Sequence, residues 1–213
     1  MATTDQPWTP EERATLARLD SPHKVQEFLD SIPYNTDHLT RSPRRVLRDR
    51  RAHCSEGAIF AAAALRFHGH QPLILDLRAW NDDDHLLAIY RVRGFIGAVA
   101  KSNFSGLRFR EPIHRTYREL VLSYFEVYYN TLAQKSLRSY SRPLDLSAFD
   151  AQCWMTTEGD IGWIAERLDR VQHYPLLDDA MLRNLSLVDQ RLYDAGMLGS
   201  DPAGTYQAKP DAE

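Results

Sequence analysis

Three residue types in one order carry the chemistry this chain offers: a cysteine where a helix starts, a histidine where a strand starts, and an asparagine where the next strand stops. Cys54 stands in RRAHCSEGAIFAAAALRFHGH, at the head of an alanine-rich helix. A thiol there meets unpaired backbone N–H groups and the positive end of the helix dipole, and an approaching histidine would bring its pKa toward neutrality. His85 opens HLLAIYRV, the second apolar run after that helix, and is the best-placed general base. A third group must hold the imidazole in its productive tautomer, and GAVAKSNFSG offers Asn103 and, less well, Ser102. The backbone N–H of Cys54 itself is the first oxyanion donor.

Each of these residues also has a plain structural counterpart. A cysteine is commonly a small buried hydrophobe, and His85 alone would be a strand-edge residue with a satisfied hydrogen bond. Cys153, in DAQCWMTTE, has no helix start or histidine beside it and reads as structural. His53, His68 and His70 suggest a metal, but the further ligands are not placed by the sequence. Asp82, Asp83 and Asp84 read as a solvated turn before His85, with a bound cation as the alternative. Arg41, Arg44, Arg45, Arg48, Arg50 and Arg51 crowd TRSPRRVLRDRR, which reads as a solvated helix face rather than a phosphate-binding patch. RGFIG lacks the helix that a phosphate cradle needs, and no GxSxG serine elbow occurs.

The elements that must position the trio are legible from spacing. Ala58, Ile59, Ala62 and Leu65 recur at helical intervals from Ser55 to about Phe67, and the four successive alanines make a slim surface that can approach a sheet closely. Gly69 ends this helix. QPLILDLRAW, DHLLAIYRV and GFIGAVAKS then follow as three strands of an antiparallel meander. Upstream, Thr9–Pro10 and Ser21–Pro22 start two short helices, the second burying Val25, Phe28, Leu29 and Ile32 and stopping at Pro33. Downstream, HRTYRELVLSYFEVYYNTL reads as a long helix whose stripe of Tyr117, Tyr124, Phe125 and Tyr128 is core. RPLDLSAFD reads as a connector. Two more helices follow, in TTEGDIGWIAERLDRV and DDAMLRNLSLVDQRLYDAGMLG, and SDPAGTYQAKPDAE reads as a disordered tail.

The chain has 213 residues and a formal net charge of −3, so its overall electrostatics do not favour a nucleic-acid partner. Its two cysteines exclude a disulfide framework. The opening MATTDQPWTPEERATL has no basic start followed by an apolar run, and no run of apolar residues is long enough for a membrane span. A cytoplasmic protein is the expectation.

The order helix, Cys54, alanine-rich helix, strand, His85 at a strand start, then a strand ending near a polar residue resembles the transglutaminase-like superfamily. VQEFLDSIPYN is similar to that family's helix before a tyrosine-containing turn, and HCSEGAIFAAAALRFHGHQPLIL to its nucleophile helix running into a first strand. The likeness covers roughly residues 20 to 106 and implies a papain-like triad with Cys54 as nucleophile and His85 as base. Leu87 stands where the family shows an aromatic residue, and no aspartate follows His85 in LLAIYRVRGFIGAVAKSNF, so the third role passes to Asn103 or is absent.

The resulting expectation is a single α+β domain. Residues 1–112 form a transglutaminase-like core, with the Cys-bearing helix packed on an antiparallel sheet behind the N-terminal helices. Residues 113–200 add a helical extension, and residues 201–213 a disordered tail. The expected activity is thiol-dependent acyl chemistry by a cysteine hydrolase or acyltransferase, with no metal or organic cofactor. Its substrate would be a protein, a peptide or a small amide or thioester, with neither nucleic acid nor membrane as partner. The alternative is a catalytically degenerate member that acts as a binding or scaffolding module.

Overall fold

Residues 8–210 are described in a computed structural model; the chain's first seven residues and last three, which include parts of the expected leaderless start and disordered tail, lie outside them. Three helices in the first fifty residues start by the same device. Thr9, Ser21 and Ser42 each accept a hydrogen bond from the N–H three residues on, and each is followed by proline. They open α1 (Pro10–Arg18), α2 (Pro22–Asp30) and α3 (Pro43–Asp49). The alanine-rich helix α4 spans Cys54–Phe67, so Cys54 is its first helical residue. Every residue from Glu56 to Leu65 is buried, so α4 is enclosed on all sides rather than on the one face its spacing suggested.

The expected meander is present as β1 (Leu73–Ala79), β2 (His85–Val92) and β3 (Phe95–Val99). It is the middle of a larger antiparallel sheet. β4 (Arg110–His114) pairs with β3; β5 (Leu137–Ser141) and β6 (Leu144–Asp145) share the far edge of β1; β7 (His173–Pro175) pairs with β5. The order is therefore β4-β3-β2-β1-β5-β7. Pro143, which has no N–H to give the ladder, falls at the break between β5 and β6.

The pleat divides the apolar residues between two cores. Ile74, Leu86, Ala88 and Tyr90 face α4, together with Trp154, Ile161 and Ile164. Leu75, Leu77, Leu87, Ile89 and Ile96 face Leu120, Val121, Tyr124 and Tyr128. Both faces are covered, which is why the strands read as continuous apolar runs rather than alternating ones.

Residues 113–200 are not a purely helical extension, since they supply β5, β6 and β7 to the same sheet. The long helix expected there is only α5 (Tyr117–Leu122), followed by a 3₁₀ turn at Phe125–Val127. The aromatic residues are core as expected, but their hydroxyls need separate partners: Tyr124 donates to the Arg108 carbonyl at 2.7 Å and Tyr128 to that of Asp83, also at 2.7 Å. Those tertiary bonds outweigh the helical period. α6 (Trp163–Asp169) forms inside its predicted stretch, and the last predicted helix divides into α7 (Asp179–Arg183) and α8 (Gln190–Met197). The segment from Ser200 to Pro210 is laid against the body by hydrogen bonds rather than left as a free tail. Among the described residues, no helix is long and apolar enough to cross a membrane.

The slimness of α4 matters at one residue. A Cβ on Gly57 would lie 2.2 Å from Cβ of Lys101, just beyond β3, whose ammonium caps the carbonyls of Leu29 and Ile32 at 2.7 and 2.6 Å. Neither Cβ sits on a flexible end, so α4 or the chain after β3 must shift. Gly57→Ala is expected to lower the free energy of urea unfolding by about 2 kcal/mol, read from the unfolding midpoint.

Candidate active site

A buried carboxylate builds the start of α4. Glu56 has no exposed surface and accepts hydrogen bonds from Asn35 Nδ2 at 2.9 Å, Arg41 N at 2.7 Å, Arg41 Nη1 at 3.3 Å and His53 N at 2.8 Å. The last closes a capping box, with His53 Nδ1 accepting from Ser55 N. Arg41 also pairs with Asp37 and Asp49. Arg41 and Arg44 are thus buried structural cations, Arg44 held by Glu12, and not part of a solvated face; Arg48 does lie outside, paired with Glu158. These bonds clamp residues 33–41 across the first turn of α4. A parallel bridge between Tyr34 and Ala52 completes the clamp.

The clamp brings Tyr34 onto Cys54. Tyr34 and Cys54 wall the same cavity. Cys54 Sγ lies 3.9 Å from Ser55 Oγ and 3.9 Å from the Asp84 carbonyl oxygen. Burial pushes the thiol up from its ordinary value; the Ser55 hydroxyl pulls it down, the nearby Asp83 charge adds to the rise, and Tyr34 pulls it down. The activating helix terminus anticipated from the sequence is therefore outweighed by desolvation.

His85 is buried at the first position of β2. Its Nε2 lies 2.8 Å from the Leu107 carbonyl oxygen, which can only accept, so Nε2 carries the proton and Nδ1 is left as acceptor in the neutral ring. Burial, against the raising effect of that hydrogen bond, lowers its pKa to about 4. By the pleat His85 belongs to the face of Leu87 and Ile89, away from α4, and it meets the Tyr128 ring edge-on. Cys54 nevertheless shares a cavity with it, because α4 begins beside Asp84, where β2 starts. The cavity holds about 40 Å³ and is walled by Tyr34, Cys54, His85, Asn103 and Tyr128, with Gly204 and Tyr206 over it. That is room for water, not for a substrate.

Asn103 and Ser102 reach the same cavity, but neither is the hydrogen-bond partner of His85. Asn103 Nδ2 donates to the Asp201 carbonyl at 2.8 Å and to Thr205 Oγ1 at 3.0 Å, and its Oδ1 accepts from Asp201 N at 2.8 Å. Ser102 Oγ accepts from Phe104 N. The orienting group is the Leu107 main chain, which no side-chain pattern reveals. Glu56 did have a signal, a carboxylate three residues after the capping residue.

The other candidates resolve individually. Cys153 is buried in a left-handed turn (φ 52°). His53 caps α4, His68 Nε2 meets the Leu16 carbonyl at 2.8 Å, and His70 lies against Tyr90. Asp82 and Asp84 organise their turn, accepting from Ser136 Oγ at 2.6 Å and Ala79 N at 2.7 Å; burial raises Asp82 to about 6. Among the described residues, Asp76, Asp84 and Asp169 bring carboxylate oxygens within 4.8 Å of one another, the set best suited to a cation. Arg78 already brings a positive charge there, 3.2 Å from Asp169 and 3.9 Å from Asp84.

Two expectations follow. Glu56→Gln leaves Arg41 buried without its innermost carboxylate and should cost about 3 to 5 kcal/mol in urea unfolding. His85 binds its proton in the unfolded chain at about pH 6.5 and in the folded one only near 4. The stability its neutral form contributes is complete above about pH 6.5 and is lost as pH falls through about 4. Asp76 and Asp82, both raised to about 6 by burial, act with the opposite sign, so the comparison must be between wild type and His85→Gln. Unfolding measured across that window should fall less steeply toward acid in the variant; equal slopes would show that His85 does not titrate there. Compared with protein-family models and with curated proteins, the chain matches none.

Proposed function

We propose that this protein performs thiol-dependent acyl chemistry, with Cys54 as nucleophile and His85 as base, on a transglutaminase-like core. The observation that carries the reading is the shared cavity: a thiol at the first position of a central helix opens onto the same space as a histidine whose Nε2 is fixed by a carbonyl. The element order supports it further, with the cysteine helix followed by antiparallel β1, β2 and β3 and the histidine first on β2.

In the reaction, His85 Nδ1 takes the thiol proton and Cys54 sulfur bonds to the carbonyl carbon of an amide or thioester. The oxyanion accepts from the Cys54 N–H. The imidazolium returns its proton to the leaving amine or thiol, the C–N or C–S bond breaks, and the acyl group remains on Cys54 as a thioester. Water or an amine, deprotonated by His85, then attacks that thioester and frees the cysteine.

One observation favours a second reading, a degenerate member that binds rather than catalyses: the Asn103 amide is engaged by Asp201 and Thr205 instead of the imidazole. Mass spectrometry of protein treated with p-nitrophenyl acetate separates the two. The enzyme reading expects an acetyl group on Cys54 with release of p-nitrophenol, and a rate about 100-fold lower in folded His85→Ala. An adduct formed equally fast without His85, or none even when the segment Asp201–Lys209 is released from the body, favours the binding module.

A further inference from the structure

We infer that the surface over Cys54 is a groove that reads polypeptide main chain, and that the chain's own segment Asp201–Lys209 lies in it as a strap holding the site closed. This inference rests on the thiol reading above. It starts from two asparagines that make the same contact. Asn103 gives Nδ2 to the Asp201 carbonyl at 2.8 Å and takes the Asp201 N–H on Oδ1 at 2.8 Å. Asn81 gives Nδ2 to the Lys209 carbonyl at 2.9 Å and takes the Lys209 N–H on Oδ1 at 2.8 Å.

A carboxamide offers one donor and one acceptor side by side, as a residue in a neighbouring strand does, so each asparagine holds backbone without reading a side chain. Thr131 Oγ1 accepts the Ala208 N–H at 3.0 Å and adds a third main-chain contact. The body fixes one clamp in advance: Asn81 has φ 52°, a left-handed conformation, and Asn130 Nδ2 donates to its carbonyl at 3.2 Å.

Between the clamps the strap runs over the candidate catalytic pair. Gly204 lies on the Tyr34 ring so closely that a Cβ there would be 2.6 Å from Tyr34 Cδ1, and Tyr206 covers the remaining cavity. The strap thus presses on the tyrosine that walls the cavity beside Cys54. A substrate must lift it, and the clamps it vacates suit an extended polypeptide with glycine at the position over Tyr34.

The test uses the full chain and follows alkylation of Cys54 by iodoacetamide, with buried Cys153 as internal reference. D201P with K209P removes the two N–H groups from the strap side, and N81A with N103A removes the clamps from the body side. Both should raise the alkylation rate about tenfold or more, since each pair loses two or more hydrogen bonds. The peptide SDPAGTYQAK should then slow alkylation again in D201P/K209P and leave N81A/N103A unprotected. Unchanged alkylation in D201P/K209P, whose altered residues are both exposed, overturns the strap. So does peptide protection that ignores the loss of both asparagines. An opened protein that alkylates fast yet forms no acetyl-Cys54 would sink the acyl chemistry and leave the strap in place.

Discussion

A carboxylate as completely buried as Glu56 is tolerable only with charge and hydrogen bonds gathered around it, and the neighbourhood of the candidate site is that gathering. Arg41 supplies the charge, Asn35 and the main chain at Arg41 and at the helix's own cap His53 supply the rest, and Asn35 and Arg41 belong to chain that would otherwise lie free of α4. Replacing such a group by a hydrophobic one of similar size often stabilises a protein, so its contribution is better sought in specificity. Here it fixes where the helix begins and where residues 33–41 cross it. From that follow the position of Cys54, the place of Tyr34 beside it, and the floor of the cavity shared with His85.

In this arrangement the thiol and the imidazole are both held neutral by the same cause. Desolvation raises the Cys54 pKa and lowers that of His85, so the thiolate–imidazolium pair is disfavoured at both ends. Water entering the cavity would move both values toward their ordinary range together. Coverage by Gly204 and Tyr206 and the protonation state of the pair are therefore one property seen in two ways.

What was legible in the sequence was local. The hydroxyl-proline starts of α1 and α2, the glycine that ends α4 and the three strands after it are each announced by residues within a few positions of one another. The strands added to the meander were not, because Arg110–His114 and His173–Pro175 are short and exist by pairing with distant chain. The Arg41 run illustrates the same limit: a buried ion pair and a solvated helix face have one composition, and only the partners, Glu56 among them, tell them apart. Cys54 and His85 could be singled out as candidates because their types and order carry a signal. Leu107 was not, because its part is played by a carbonyl that every residue possesses. Asn103 was noticed as an orienter of the imidazole, but its hydrogen-bond partner is the main chain of Asp201.

The two outer strands also bear on how copies of this chain meet one another. β4 contains Pro112 and β7 contains Pro175, and the strands are five and three residues long. An outer strand normally exposes a row of unpaired N–H and C=O groups that a second molecule can extend into a continuous intermolecular sheet. Proline interrupts that row at both margins, and brevity limits what remains. A sheet with two apolar faces and strands as hydrophobic as β1 and β2 would otherwise be a template for aggregation, and its margins are built to stop growth there.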